Sequence, residues 1–241
     1  MKKIFNWTNI RLILMFCLVI FLFSFTSKRN EKRKLSKIKV VFVGENNLFI
    51  KEETVNKLLI ENIGNPLAIG KDKLDLNKLE RKLDSNAMID ESDVFVSISG
   101  VLKAVVKQKT PVARVVNGSE SFYIDYKGGR MPLSDNFTAR VPLVSGNLNS
   151  GNKAKIAVLL RRIYEDDFLK KNIIAIQIMP NASLKMFNRN YDYQIDFGSV
   201  MNFETKFKNY EAFFQKAVLD STLYKYKKID LRFTKQVVCT K

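Results

Sequence analysis

The stretch that organises this chain is LILMFCLVIFLFSFTS, residues 12–27, which is uncharged and almost entirely built of large apolar side chains. As a helix it rises about 24 Å, somewhat short of a hydrocarbon core of about 30 Å. Counting back to Thr8 gives a sufficient span if Arg11 directs its guanidinium to the headgroups and Trp7 lies at the interface. The stretch therefore predicts an uncleaved membrane anchor, with function expected in the long segment that follows it.

A cleaved signal peptide is the alternative interpretation of the same stretch. Such peptides also combine a basic start, an apolar core and small residues at the exit. Ser24, Thr26 and Ser27 are small, but Phe25 lies among them and no A-x-A cleavage site occurs. These features favour the anchor over the signal peptide.

The charges that flank the anchor leave its orientation open. More basic residues follow the anchor than precede it, which by the positive-inside rule places the large domain in the cytoplasm. A short N-terminal tail before a lone anchor usually stays inside, however, and long domains translocate largely regardless of charge. The two arguments conflict, and composition does not decide between them.

Charge is unevenly distributed along the chain. The net charge is +17, yet residues 1–39 contain ten basic residues against Glu31 alone, which leaves +8 for the other 202 residues. A nucleic-acid binder would concentrate charge in its folded domain. Here the dense basic block abuts the predicted membrane surface, where anionic lipid stabilises each Lys or Arg by ~1 kcal/mol. The block is either a solvated linker or a lipid contact.

The sequence offers few of the residue combinations from which catalytic sites are built. There is no His, and Cys239 is the single Cys outside the anchor, so a zinc site or a Cys-His site cannot be assembled. With Cys17 in the span, an intramolecular disulfide is implausible. Acidic pairs at residues 52–53 and 166–167 remain, but adjacent helical residues point to different faces. We therefore expect no catalytic residue, no metal and no cofactor.

The segment after the basic linker predicts a small domain of order β-α-α-β-β. Its expected elements are a strand over residues 38–43, helices over 52–63 and from Asp75, and strands at 94–98 and 101–108. Gly64 and Pro66 end the first helix, and Asp75 is a good N-cap for the second. Gly100 turns the last two strands into an antiparallel pair. Two helices on one face of a small sheet make an adequate core.

The second half of the chain predicts a larger sheet with helices. The expected elements are strands at 122–126, 173–178, 184–187 and 191–197, a helix from Asn152 and a helix over 203–218. Lys127-Gly128-Gly129-Arg130 supplies the positive φ of a tight hairpin turn. The aromatic stripe of the last helix, which includes Val218, is expected to pack on the sheet. Alternation over residues 229–237 predicts one final two-faced strand.

Several of these residues resemble the bacterial FtsQ/DivIB cell-division family, in which a single anchor is followed by a POTRA domain. The matching positions are Val40, Val43 and Gly44, Val55 and Leu58, Leu76, Leu79 and Leu83, Pro111-Val112-Ala113, Asp125 and Gly128, and Ile229-Asp230-Leu231-Arg232-Phe233. Gln108 and Lys109 stand where the family has an acidic residue before the proline. The resemblance covers nearly the whole chain.

The resemblance implies an α+β fold, with a single N-terminal transmembrane helix, then a POTRA domain (β-α-α-β-β) and a C-terminal mixed α/β domain built on an antiparallel sheet. The expected boundaries are residues 1–11 for the cytoplasmic tail, 12–27 for the anchor, 28–36 for the basic linker, 37–110 for the POTRA domain and 111–241 for the FtsQ-type β domain. It also implies a cytoplasmic N-terminus, with the bulk of the chain extracytoplasmic at the division septum of the inner membrane.

In function, the resemblance implies a non-enzymatic divisome scaffold that links FtsB and FtsL to the septal peptidoglycan synthases FtsW and FtsI. A strand at a sheet edge can accept a partner's strand by main-chain pairing, and in this family FtsB adds one at the C-terminal edge. From periodicity alone, the final strand merely completes the sheet. The expected partner-binding residues are Lys228, Ile229, Asp230, Leu231, Arg232, Phe233, Thr234, Lys235, Gln236, Val237 and Val238.

Two other function classes stay open at this point. A POTRA-bearing component of outer-membrane protein assembly or secretion would need a barrel-forming C-terminal half or several POTRA copies, and this chain has neither pattern. A membrane-anchored hydrolase would need a nucleophile and a base, and the sequence offers no such set.

Overall fold

The computed structural model describes residues 7–31, 35–44, 49–63, 70, 74–118 and 120–241. The chain divides into two compact units, the first containing residues 1–46 and 50–108, and the second residues 47–49 and 109–241. Part of the expected cytoplasmic tail (residues 1–6), part of the basic linker (residues 32–34) and the expected helix stop at Gly64 and Pro66 lie outside the described residues.

An apolar helix, α1, runs from Trp7 to Glu31 and extends past both ends of the expected anchor. Its segment Trp7–Arg29 is long and apolar enough to cross a membrane, and none of it is buried by the rest of the described chain. A 23-residue helix rises about 35 Å, which spans a hydrocarbon core of about 30 Å. Phe16 and Phe23 expose 67% and 74% of their surface, which suits lipid and not water. Among the described residues α1 is the one helix of this kind, which gives the chain single-pass membrane topology.

The described part of the first unit holds a three-stranded sheet covered on one face by two helices. Its elements are β1 (Lys37–Val43), α2 (Glu52–Ile63), α3 (Leu76–Asp84), β2 (Ile89–Val96) and β3 (Val101–Gln108). The sheet order is β1-β3-β2, with β1 parallel and β2 antiparallel to β3. The expected order of one strand, two helices and two strands is confirmed.

Local sequence explains how this unit is packed. Asp75 caps α3 by accepting a hydrogen bond from the Lys78 backbone N–H at 2.9 Å. Leu79 and Leu83 lie on one face of α3 and are buried. On β3, alternate residues are buried against the helices. These are Leu102, Ala104 and Val106.

Ile98 departs from the expected strand over residues 94–98. β2 ends at Val96, and Ile98 lies in the following turn with 83% of its surface exposed. The turn forms because the Gly100 N–H donates to the Ser97 carbonyl at 3.0 Å, and Gly100 adopts a φ of 84°. The prediction for Ile98 is wrong because the alternation of apolar and polar residues continues beyond the end of the strand into this turn.

The described part of the second unit is built on a nine-stranded sheet. Its strands are β4 (Pro111–Asn117), β5 (Glu120–Asp125), β6 (Arg130–Met131), β7 (Leu143–Gly146), β8 (Ile173–Ile178), β9 (Leu184–Asn188), β10 (Gln194–Gly198), β11 (Lys228–Asp230) and β12 (Val238–Thr240). Its helices are α4 (Ser150–Glu165), α5 (Asp167–Asn172) and α6 (Phe203–Leu219), with a 3-10 turn at Leu223–Lys225. The sheet order is β12-β11-β10-β9-β8-β7-β4-β5-β6.

This sheet is mixed, because helical connections make some of its neighbouring strands parallel. The pairs β4–β7, β7–β8 and β10–β11 are parallel, whereas the other five pairs are antiparallel. Helices α4 and α5 connect β7 to β8, and α6 connects β10 to β11, and such crossovers return the chain in the same direction. The α+β class is confirmed, and the sheet expected to be antiparallel is antiparallel in most of its pairings only.

The helices of the second unit pack on the sheet through apolar faces. Asn149 caps α4, and its side chain and that of Asn152 bond reciprocally to each other's backbone N–H groups. Along α6, Phe207 and Tyr210 are buried as expected. Val218 is 45% exposed and Ala217 takes the buried position, because a 3.6-residue period places Ala217 in line with Tyr210. The prediction that Val218 belongs to the buried stripe is therefore wrong.

Candidate functional site at the C-terminal sheet edge

The C-terminal segment forms two short strands instead of the one strand predicted over residues 229–237. β11 ends at Asp230. The chain then turns away from the sheet and reverses, so that β12 pairs antiparallel with β11. The register joins Lys228 to Thr240 and Asp230 to Val238. The prediction of a continuous final strand is therefore wrong.

Asp230 ends β11 by bonding to its own neighbour. Its carboxylate accepts hydrogen bonds from the Arg232 backbone N–H at 3.0 Å and from the Arg232 Nε at 2.9 Å. Its second oxygen accepts from Arg232 Nη2 at 2.5 Å. This Asx turn offers the backbone an alternative to the strand ladder. An Asp two residues before an Arg was the available signal for a turn here.

The expected partner-binding residues fall into two groups. Ile229, Asp230 and Leu231 are buried, and Lys228 is half-buried. Arg232, Phe233, Thr234, Lys235 and Gln236 are exposed in succession, followed by half-buried Val237 and exposed Val238. The first group belongs to a strand held between β10 and β12, so its backbone is used within the fold. The second group forms the surface that faces solvent.

β12 is the outer strand at this end of the sheet. The Leu231 N–H donates to the Asp196 carbonyl at 2.9 Å, so odd-numbered residues of β11 face β10 and even-numbered ones face β12. Val238 and Thr240, which are opposite Asp230 and Lys228, therefore point their backbone groups inward. The backbone N–H and C=O of Cys239 point outward. Sequence reasoning missed Cys239 and Thr240 because it ended the final strand before them.

Positive charge surrounds this edge. Residues 225–241 contain six basic residues and only Asp230 as an acid. Arg232 bonds lower the pKa of Asp230 although burial opposes this, so its carboxylate is ionised and paired. Lys228 Nζ lies 2.5 Å from Asp196, and despite opposing burial the bonds from Lys228 and Gln194 keep the pKa of Asp196 low. Both acids are neutralised locally, which leaves the edge basic.

A buried lysine bonds to the backbone at the end of β10, the strand that pairs with β11. Lys206 of α6 is 3% exposed, and its Nζ donates to the carbonyls of Phe197 at 2.9 Å and Ser199 at 2.8 Å. Burial lowers the pKa of Lys206, while the charge of Asp230 opposes that change. Gly198 has a φ of 73°, and a Cβ there would lie 2.8 Å from Arg232 Cγ. The two lysine hydrogen bonds hold the end of β10, and the missing Cβ of Gly198 leaves room for the Arg232 stem.

A second polar cluster lies inside the core of this unit. The hydroxyls of Tyr193 and Tyr210 are 2.8 Å apart, and Asn188 Nδ2 donates to the Tyr210 hydroxyl at 3.0 Å. Burial raises the pKa of both tyrosines. Each hydroxyl is held by a neighbour within the core, so this cluster stabilises the packing of α6 on the sheet.

The two acidic pairs considered in the sequence analysis lie at the starts of helices. The pair at residues 52–53 is exposed in the first turn of α2. Asp166 caps α5 by accepting from the Leu169 N–H at 3.0 Å, and it lies 2.8 Å from Arg162 Nη1. Asp167 is exposed. Within the described ranges, three or more metal-ligating side chains do not meet at any point.

Comparison with known proteins places the chain in a family. No curated protein matches it. A solved structure, titled the major extracytoplasmic domain of the trans isomer of the bacterial cell division protein DivIB from Geobacillus stearothermophilus, is 15% identical and has a TM-score of 0.34, over 47% of this chain and 95% of that one. Residues 110–240, more than half of the chain, match the family model described as FtsQ/DivIB, C-terminal related. The chain is therefore a member of the FtsQ/DivIB C-terminal related family.

Proposed function

We propose that this protein is a non-enzymatic scaffold of the bacterial division machinery. Its N-terminus lies in the cytoplasm and its two units lie outside the cytoplasm at the division septum. It binds FtsB and FtsL there and links them to the septal peptidoglycan synthases FtsW and FtsI. Family membership of residues 110–240 and the apolar helix α1 support this proposal.

FtsB binds by adding a strand to β12. The observation that carries this step is the outward direction of the Cys239 backbone N–H and C=O, which offers an incoming strand a donor and an acceptor. β12 is three residues long, so main-chain bonds alone provide few contacts. The side chains next to the edge must supply the rest of the affinity.

The adjacent exposed residues form that side-chain surface. Phe233 exposes 48% of its surface and Val238 exposes 41%, which gives the partner two apolar contacts. Lys235 is exposed beside them. Thus the outer part of the expected contact segment binds the partner, and residues 228–231 hold the edge in place.

Proline at position 239 tests the proposal. Cys239→Pro removes an N–H that points away from β11, so the free energy of unfolding should fall by less than about 1 kcal/mol, as for proline on edge strands. Binding of FtsB should fall at least tenfold. Cys239→Ala is the matched control because it alters the side chain and keeps the N–H. The measurements are FtsB pull-down with the full chain in detergent and urea unfolding followed by circular dichroism.

Two results would contradict strand addition. Unchanged FtsB binding by Cys239→Pro would exclude the outward backbone of β12 as the contact. Equal loss of binding by Cys239→Ala would assign the effect to the side chain. Proline at Val238 is a poorer probe, since that N–H points to β11 and its loss would disturb the fold itself.

A further inference from the structure

The sheet of the first unit has one face that its helices do not cover. Register places alternate residues of the three strands on this face in rows, and one row joins Lys39, Lys103 and Phe95. Lys37 precedes this row and pairs with Val101. The opposite face carries Val40, Ala104 and Val94, which are buried. The uncovered face is thus defined by residues of β1, β3 and β2 that alternate with the core.

The two ends of this face differ in charge. Lys37 and Lys39 are exposed at the start of β1, and Lys103 lies beside them on β3. The acidic residues Glu91 and Asp93 are exposed toward the other end, along the first half of β2. Glu91 is opposite Lys107 in the register, and neither acid is directly opposite Lys39 or Lys103.

An aromatic side chain lies within the basic end. Phe95 is 38% exposed, and Lys103 Nζ is 5.6 Å from the centre of its ring. We name Lys37, Lys39, Lys103 and Phe95 the basic corner. A cluster of cations next to an exposed ring suits a lipid interface, where ammonium groups meet phosphates and an apolar ring enters the headgroup region.

The anchor keeps the basic corner close to a bilayer. The span ends at Arg29, and β1 begins eight residues later at Lys37. Eight residues reach at most about 28 Å when fully extended. Lys28 and Arg29 are themselves basic, so the chain leaves the membrane at a point where anionic lipids gather. This holds for either orientation of the anchor.

We propose that the basic corner docks on the anionic phospholipid headgroups of the membrane that holds α1. The first unit then lies against the bilayer surface. Each lysine adds a factor of about five to such an association at an anionic surface, so the three together add roughly 100-fold. The contact therefore depends on lipid charge and weakens with salt.

The test uses the full chain with its single tryptophan moved to the corner. Trp7→Phe removes the only native tryptophan, and Phe95→Trp places an indole on the uncovered face. This chain is reconstituted in nanodiscs of phosphatidylcholine, with or without phosphatidylglycerol. A small fraction of the lipid carries a nitroxide headgroup that quenches nearby indoles. We expect quenching in the anionic discs only, reversed by high salt.

Charge removal identifies the residues responsible. Lys37→Gln, Lys39→Gln and Lys103→Gln together should lower the docked-to-free ratio by roughly 100-fold in anionic discs. The control combines Lys57→Gln, Lys78→Gln and Lys82→Gln, which remove the same charge from exposed positions on α2 and α3. The control should leave quenching unchanged. Circular dichroism verifies that both triple variants are folded.

Three outcomes would overturn the proposal. These are equal quenching in neutral and anionic discs, an equal loss of quenching in the control triple variant, and no quenching in any disc. If the introduced indole responds only when another division protein is added, the face binds a protein and not lipid. Neither triple lysine variant should change the amount of FtsB pulled down. This separates the lipid proposal from strand addition at β12.

Discussion

The two sheets of this chain differ in whether side chains cover the outward backbone groups of an edge strand. In the first unit, Glu80 of α3 accepts a hydrogen bond from the Val94 N–H of β2 at 2.9 Å, and the Ser92 hydroxyl donates to Asp84 at 2.7 Å. The Glu80 side chain therefore occupies an outward backbone donor of β2, and Asp84 bonds to a side chain of the same strand. In the second unit, β12 presents the backbone of Cys239 outward.

The difference shows two ways to manage an exposed edge. β2 is eight residues long, and an unprotected edge of that length would invite pairing with other chains. The Glu80 hydrogen bond contributes about 1 kcal/mol net, and a foreign strand would first have to displace it. β12 is too short to need such protection, and its backbone stays available. Side chains protect one edge, whereas the other leaves its outward backbone groups open.

The largest expected effect comes from breaking the interior strand beside the open edge. Ile229→Pro removes an N–H that faces β10 and places a ring in the core, so the second unit should lose at least about 3 kcal/mol of unfolding free energy. Urea unfolding followed by circular dichroism measures this. Cys239→Pro is the matched comparison, with its N–H directed outward. Equal destabilisation by the two prolines would show that β12 is no more open than β11.

A smaller effect is expected from removing the charge that anchors the turn. Asp230→Asn keeps an acceptor for the Arg232 N–H but loses the ion pair, and it should cost about 1.5 kcal/mol at neutral pH, discounted because the Arg232 side chain is 56% exposed. Because the folded-state pKa of Asp230 is lowered, its stabilisation is complete above the ordinary aspartate pKa and is lost as pH falls below it.

Unfolding in urea at neutral pH and near pH 3 checks this sign. The difference between the native chain and Asp230→Asn should shrink as the pH falls below about 4. Asp135→Asn, which changes an exposed carboxylate of the same unit, is the control and should leave stability nearly unchanged. A difference that stays constant with pH would contradict the role of the ionised carboxylate.

The smallest expected effect concerns the closed edge. Glu80→Ala frees the Val94 N–H to water and should cost about 1 kcal/mol. It should also promote self-association at high concentration, because β2 then offers an unblocked flank. Sedimentation velocity of the full chain in detergent measures this. Glu80→Gln, which retains an acceptor oxygen, should remain like the native chain; if it self-associates equally, charge and not the hydrogen bond protects the edge.

Much of the fold follows from periodicity, as α3 and α4 illustrate. Leu79 and Leu83, and likewise Ile156 and Ile163, lie at helical spacing and are buried, because one helical face must meet the sheet. The order of strands and helices in the first unit could be predicted for the same reason. Helical spacing and alternation are local properties, and the sequence displays them directly.

The candidate site was less predictable because it depends on pairing directions. Alternation from Ile229 to Val237 indicates two faces but does not reveal that Asp230 turns the chain away from the sheet. It also cannot tell which backbone groups of Cys239 face outward, since this follows from the register with β11. A strand edge is a nonlocal feature, and the sequence alone does not show it.

The enclosure of Lys206 has a practical consequence for experiments on this protein. Its amine is held by the carbonyls of Phe197 and Ser199, in a chain that displays many other lysines at its surface. Acylating reagents will modify those surface amines rapidly and reach position 206 only when the second unit opens. Mass spectrometry of the peptide that carries Lys206 therefore times that opening in intact cells, without any engineered label.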